Sequence, residues 1–317
     1  MEEFRIKNRR DFLKKSLYGS IGAASLSMLP AEVFAKREQV KIVILHTNDV
    51  HSHVDPFPMN DPKYAGLGGV ARRAALIEEI RNQEPNVLLL DAGDIYQGTP
   101  YFNKFGGELE LKLMSKMGYD ASAIGNHDFD NGIKGIVNQL HNASFPLLCS
   151  NYDFSDTAMS GKTQAYKIFE KDGIRIGVFG IGIELEGLVD KRMYENTRYL
   201  DPLVKAAEMS VLLKNEKHCD IVICLSHLGF SYENKKVSDV VLAKESRNID
   251  LIIGGHTHTF LDKPMEYSNR DGKKVLVAQV GWAGIKLGKI TFVVERNSKK
   301  KKVEGSSLNL SEFQPQI

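Results

Sequence analysis

Five short segments of this chain, each preceded by an apolar run and opening into glycine or polar residues, carry Asp, Asn and His side chains able to hold metal ions. They are Asp49-Val50-His51, Gly93-Asp94, Gly125-Asn126-His127-Asp128, Ser226-His227 and Gly254-Gly255-His256-Thr257-His258. Side chains placed this way sit on loops at the ends of buried strands. The chain must therefore fold so that several strand ends meet in one place.

The runs themselves support that requirement. Residues 41–45, 87–90, 174–179, 221–225, 251–253 and 275–280 are short and rich in β-branched residues or leucine, as buried strands are. Helical spacing of apolar residues appears between several of them, at 70–81, 109–117 and 202–217. Alternating strand and helix predicts an α/β layered fold. Residues 167–181 read as a hairpin turning at Asp172-Gly173, and 286–295 as a further strand. The basic run at 299–302 reads as a solvated turn or end, and the polar tail after Val303 as frayed. No repeat or proline-rich linker follows residue 36, so residues 36–317 are expected to form a single catalytic domain.

Charge excludes one class of partner. The formal net charge of +2 is carried by residues 1–35, and the remainder is neutral, so nothing calls for a nucleic-acid surface. The three cysteines, Cys149, Cys219 and Cys224, are too sparse for a disulfide framework and read as buried thiols.

Residues 1–35 read as an address. Asn8-Arg9-Arg10-Asp11-Phe12-Leu13-Lys14 resembles the twin-arginine export signal, with Asn8 in place of the usual Ser or Thr. A weakly apolar stretch from Leu17 to Leu29 follows, too short and too rich in small residues for a good membrane span. Val33-Phe34-Ala35 offers a cleavage site after Ala35, and no nearby cysteine supports a lipid anchor. Export of the folded chain, with no stable membrane anchor, is the expectation. That route would let the metal site assemble in the cytoplasm.

Asp, Asn and His without thiolate suit hard to borderline divalent ions such as Mn, Mg or Zn. Asp49 and His51 are alternate residues, so an extended segment would aim both at one ion. Asp94 has two oxygens and can bridge two cations. Asn126 offers a neutral carbonyl oxygen, and His227, His256 and His258 follow further strands. Singly, each has a bland reading: a surface or core histidine, a cap at Asp94, a turn at Asn126. Together they end strand after strand with the right ligand types, which scattered polar residues do not do. Two adjacent divalent ions imply hydrolysis of a phosphate ester. His127 would project near them to hold a phosphoryl oxygen or protonate a leaving oxygen, and Asp130 would orient its ring. The alternative for Asp130 is a cap on a helix starting near Gly132. His46 and His53 flank the first motif and would only shape the site; His141 and His218 read as structural or surface residues.

These motifs in order resemble the calcineurin-like metallophosphoesterases, and within them the catalytic domain of the 5′-nucleotidases. The matching segments include residues 45–53, 91–99, 125–130, 150–153, 226–229 and 254–259. The resemblance implies a four-layer αββα sandwich of two mixed sheets flanked by helices. It implies two divalent metal ions: Asp49, His51, Asp94 and His258 on one, and Asp94, Asn126, His227 and His256 on the other, with Asp94 as the bridge. It also implies a small phosphate-ester substrate, a nucleotide first. Where such proteins commonly carry Glu, this chain has Asp128, an exchange expected to be harmless. Nucleotidases of this group add a C-terminal domain that recognises the nucleotide. Phe260 and Trp282 lie near the motifs at positions that do not stand in for it. A separate chain could supply that domain, or small esters could be accepted loosely, or the substrate could be another ester. Rival chemistries are 2′,3′-cyclic nucleotide phosphodiesterase, sugar-nucleotide pyrophosphatase and sulfur-ester hydrolase. The non-enzymatic alternative is a metal-binding subunit of a two-chain nucleotidase.

Overall fold

In the computed structural model, which describes residues 39–313, the first strand already shows why the protein is layered. β1 (Gln39–Thr47) sends Val40, Ile42 and Ile44 into one apolar cluster, and Val43 and Leu45 into another. Side chains alternate across a strand, so a strand apolar on both faces must be covered on both. β2 (Val87–Asp91) divides Leu88 and Leu90 from Val87 and Leu89 in the same way. The other strands are β3 (Ala121–Ser122), β4 (Tyr152–Asp153), β5 (Tyr166–Lys171), β6 (Ile174–Ile181), β7 (Arg198–Tyr199), β8 (Ile221–Ser226), β9 (Leu251–Gly254), β10 (Met265–Ser268), β11 (Lys274–Ala278), β12 (Lys286–Glu295) and β13 (Lys301–Asn309).

One mixed sheet runs β13-β12-β1-β2-β3 and a second β10-β11-β9-β8-β6-β5; β4 and β7 form a small separate pair. Within the first, β1, β2 and β3 are parallel, and within the second, β6, β8, β9 and β11 are parallel. The helices are α1 (Val70–Gln83), α2 (Pro100–Phe105), α3 (Glu108–Met117), α4 (Gly132–Gln139), α5 (Lys191–Tyr194), α6 (Pro202–Val211) and α7 (Asp239–Glu245). Between the sheets, Ile42, Ile44 and Leu90 meet Ile176, Ile223 and Ile253. Ile77 of α1, Leu111 of α3 and Ile133 of α4 cover the outer face of the first sheet. Ala206 of α6 and Leu242 of α7 cover that of the second. The order is helix, sheet, sheet, helix, the expected four-layer αββα sandwich. Each fully buried aliphatic side chain in these layers contributes roughly 1.5–3 kcal/mol.

Parallel strands end on the same side. The loops after β1, β2 and β3 in one sheet, and after β8 and β9 in the other, therefore open at a common edge. They are the five ligand-bearing segments.

The hairpin forms as expected, β5 pairing with β6 across Asp172 and Gly173, both at positive φ (49° and 74°). The tail does not. Residues 301–309 pair antiparallel with β12, and Leu310 beyond them is fully buried. Lys301 and Lys302 begin that strand rather than ending the fold. Polar and lysine-rich composition is what an edge strand with one wet face carries, and β13 is an edge. Cys149, Cys219 and Cys224 are buried and free, as read. Among the described residues no helix is long and apolar enough to cross a membrane. The export-signal segment and its cleavage site lie outside the described residues.

Candidate metal centre

The loops after β1 and β2 continue their ladder beyond the strands. The amide of Asp49 donates to the Gly93 carbonyl at 2.9 Å, and that of His51 to the Asp94 carbonyl at 3.1 Å. Glycine is required where the next loop closes in. A Cβ on Gly93 would come 2.6 Å from the Gly125 nitrogen, and one on Gly125 2.1 Å from Asp94 Oδ1. The extended backbone expected at Asp49 and His51 is not found. Both are left-handed (φ 51° and 50°), as are Asp94 (57°), His256 (71°) and His258 (52°). For non-glycine residues each such conformation costs on the order of 1–3 kcal/mol and concentrates at functional sites. Here it turns the side chains inward.

Two ligand groupings result. Asp49, His51 and His258 form one, and Asp94, His227 and His256 the other, the ligand atoms of each lying within 4.8 Å of one another. The groupings interleave. Asp94 Oδ2 lies 3.8 Å from His51 Nε2 and 3.0 Å from His227 Nε2, and Asp49 Oδ1 lies 3.8 Å from His227 Nε2. Asn126 Oδ1 joins the second grouping, 2.8 Å from His256 Nδ1. All seven expected ligands are thus gathered in one place. Each grouping draws on loops of both sheets.

The donors fit cations. His227 donates from Nδ1 to the Ala92 carbonyl at 2.7 Å, which leaves Nε2 to face Asp94. That buried Nε2 has no hydrogen-bond partner, despite its 3.0 Å approach to the carboxylate. The two atoms are near enough to bond and are not aligned for it; a cation between them answers both. Similarly, His51 donates from Nδ1 to the Tyr96 carbonyl at 3.1 Å while its Nε2 meets His258 Nε2 at 3.0 Å. Burial pushes His256 down to about 3 and His258 to about 4, keeping them as the neutral imidazoles that metals take. Burial pushes Asp49 up to about 8. Burial opposes charge on His227, yet the carboxylates of Asp94 and Asp49 raise it to about 10, so without metal a proton stands where positive charge is wanted.

His127 stands at the rim, its ring centroid 5.3 Å from that of His51. Its Nδ1 donates to Asp130 Oδ2 at 3.0 Å, and this bond, against some desolvation, raises its pKa. Asp130 does not cap α4, whose first flanking residue is Asn131 and makes no side-chain cap. His53 donates to the His51 carbonyl at 2.9 Å, while His46 is buried away from the ligands and His141 and His218 are exposed.

Sequence reasoning misses the residues that hold these loops. Asp128 accepts from the amides of Asp94, Ile95 and Gly125 at 3.1, 2.9 and 2.8 Å. Asn48 donates to the Gly281 carbonyl at 2.6 Å and accepts from the Val280 amide at 3.0 Å. Gln279, fully buried, donates to the Gly255 carbonyl at 2.6 Å and accepts from the Thr257 hydroxyl at 3.1 Å. Gln279 does leave a signal, as a polar side chain interrupting the apolar run at 275–280.

Known proteins resemble this chain over most of its length. The snake venom 5′-nucleotidase of Gloydius brevicauda is 34% identical over 300 residues, covering 86% of this chain and 49% of that protein. The structure of a 5′-nucleotidase precursor from Thermus thermophilus superposes with a TM-score of 0.77 at 30% identity, covering 85% of this chain and 54% of that one. The calcineurin-like phosphoesterase YfkN of Bacillus subtilis shares the fold, with a TM-score of 0.70 at 24% identity, covering 86% of this chain and 92% of that one. The chain spans about half the length of the 5′-nucleotidases it matches. Residues 42–260 match the calcineurin-like phosphoesterase family, and the chain belongs to it.

Proposed function

We infer that the protein is a two-metal phosphoric ester hydrolase whose substrates are nucleotides, releasing phosphate from 5′-monophosphates. One observation carries this reading: two interleaved Asp/His groupings with a carboxylate-held histidine at their rim. The 5′-nucleotidases among its relatives support the substrate class. Asp49, His51 and His258 would hold one ion, Asn126, His227 and His256 the other, and Asp94 would serve both. When bound, such ions lower the pKa of water from about 15.7 towards roughly 7 and neutralise charge on the phosphoryl oxygens. His127 and Asp130 do the rest. Asp130 fixes the His127 ring and favours its charged form, leaving Nε2–H to donate to a phosphoryl oxygen as charge builds. As a water oxygen bonds to phosphorus and the ester P–O bond breaks, the same proton can pass to the leaving alkoxide, which departs as an alcohol, and the proton shed by the water restores the histidine.

Two further proposals rest on sequence. Residues 1–35 would direct export by the twin-arginine route, and a separate chain could complete nucleotide recognition. The test is phosphate release by the purified chain, stripped of metal and reloaded with Mn or Zn. Its panel holds nucleoside monophosphates, a 2′,3′-cyclic nucleotide, a sugar nucleotide and an aryl phosphate. Metal-restored turnover on 5′-monophosphates is expected. Turnover on the aryl phosphate alone would sink the nucleotide assignment for this chain by itself and leave recognition to a separate chain or point to another ester, and no turnover on any ester would favour a metal-binding subunit.

A further inference from the structure

Beside the Asp49–His51–His258 grouping stands a wall of rings that neither the core nor the metal chemistry uses. Trp282 lies flat on His258, centroids 5.5 Å apart and planes 3° from parallel. Phe57 and Tyr64 meet Trp282 edge-on at 5.7 and 5.9 Å, and Phe260 extends the wall 6.5 Å beyond Tyr64. These four rings belong to none of the three apolar clusters, and none is buried; Phe260 is 38% exposed. Apolar surface left in water beside a reactive centre marks a contact yet to be made.

The wall is fixed to the centre. Phe57 and Tyr64 lie on the loop that begins with Asp49 and His51, and Phe260 lies two residues beyond His258. The Ala283 amide, next to Trp282, donates to the Asp49 carbonyl at 2.8 Å. A phosphate on the ligand groupings would therefore place its ester group within reach of these rings. Flat ring surfaces reward a planar aromatic group beyond the area it buries. The ammonium groups of Lys63 and Lys286 lie 5.0 and 5.7 Å from the centroids of Tyr64 and Phe260. Lys286 is also held by Asp262 at 2.7 Å, so Lys63 is the cation that favours a ring bearing hydrogen-bond acceptors over a hydrocarbon.

We propose that Tyr64, Phe260 and Trp282 form a subsite for a planar heteroaromatic ring carried by the leaving group. The subsite takes its purpose from the phosphoesterase reading above, but ring binding can be measured without it. Trp282 is the single tryptophan of the chain, so its emission reports on the wall. Titrating the full chain, supplied with Zn²⁺, with adenosine should give a saturable change in emission, and ribose none. Phe260→Leu and Tyr64→Leu keep apolar bulk and remove the ring; each should weaken adenosine binding about tenfold. A flat response to adenosine, or an equal response to ribose, overturns the subsite. In turnover, the kcat/KM preference for adenosine 5′-monophosphate over glycerol phosphate should fall about tenfold in both variants, mainly through KM. An unchanged preference also overturns it. Adenosine binding with no hydrolysis of any ester would leave the subsite standing and remove the phosphoesterase reading.

Discussion

Asp128 ties the turn that presents Asp94 to the turn that presents Asn126, by accepting from four backbone amides, those of Asp94, Ile95, Tyr96 and Gly125, at a site only 5% exposed. Asp128→Ala would leave those donors buried and unpaired, at about 1–3 kcal/mol each before relaxation. A loss on the order of 3 kcal/mol in urea unfolding is expected, together with poorer metal retention. An unchanged midpoint would show that water or another group replaces the carboxylate. On the reading that Asp94 would serve both ions, Asp94→Ala should lower bound metal at both groupings, whereas His258→Ala should mainly weaken one. Metal content of the purified variants measures this, and full occupancy in Asp94→Ala would refute the shared role. The ligands were legible because a divalent ion dictates residue type and strand ends dictate place. Asp128 and Asn48 were not, because a carboxylate or amide that binds distant backbone looks in sequence like any turn residue. Trp282 was visible only as an aromatic near a motif; its stacking on His258 depends on two loops meeting.

β1 and β12 show the same division at the scale of elements. Their strand character was plain from apolar runs. The register sets what happens to His46, which lies opposite Gly288. A Cβ at Gly288 would come 2.0 Å from His46 Nε2, so the ring occupies the space that glycine leaves. His46 is 1% exposed and its Nδ1 has no partner. Burial lowers its pKa from 6.5 to about 3, so the fold holds it neutral. Between those values the unfolded chain binds a proton that the folded chain refuses. Its contribution to stability is complete above pH 6.5 and is lost as pH falls towards 3, by on the order of 5 kcal/mol at most. His46→Leu should flatten that part of the stability–pH curve relative to wild type, read from urea midpoints at successive pH values. Parallel curves would mean that His46 is hydrated and titrates normally. β13 was misread for an equally physical reason. An edge strand needs one covered face, and the pairing that makes residues 301–309 a strand is supplied by β12, not by its own composition.

Over the whole molecule, metal would act as a staple between the sheets. Asp49 and His51 reach one grouping from the first sheet and His258 from the second; Asp94 reaches the other from the first, and His227 and His256 from the second. Five of these residues sit at positive φ, and buried carboxylates face one another around His227. The metal-free centre therefore holds backbone strain, and buried carboxylates that only protons compensate, where bound cations would take the protons' place. A site filled at a hundred times its dissociation constant stabilises the fold by about 2.7 kcal/mol, so two filled sites give roughly 5 kcal/mol. At about 2–4 °C per kcal/mol for a domain approaching this size, chelation should lower the melting temperature by roughly 10–20 °C. The loss should also be local. Amide exchange should quicken in the loops that follow β1, β2, β8 and β9, while the inter-sheet core around Ile44 and Ile223 stays protected, since its apolar contacts do not involve the ligands. Calorimetry and hydrogen exchange with and without chelator separate the cases. An unchanged melting temperature would show that the loops are held by Asp128, Asn48 and Gln279 alone. A uniform rise in exchange across both sheets would show that the metal supports the entire sandwich rather than one end of it.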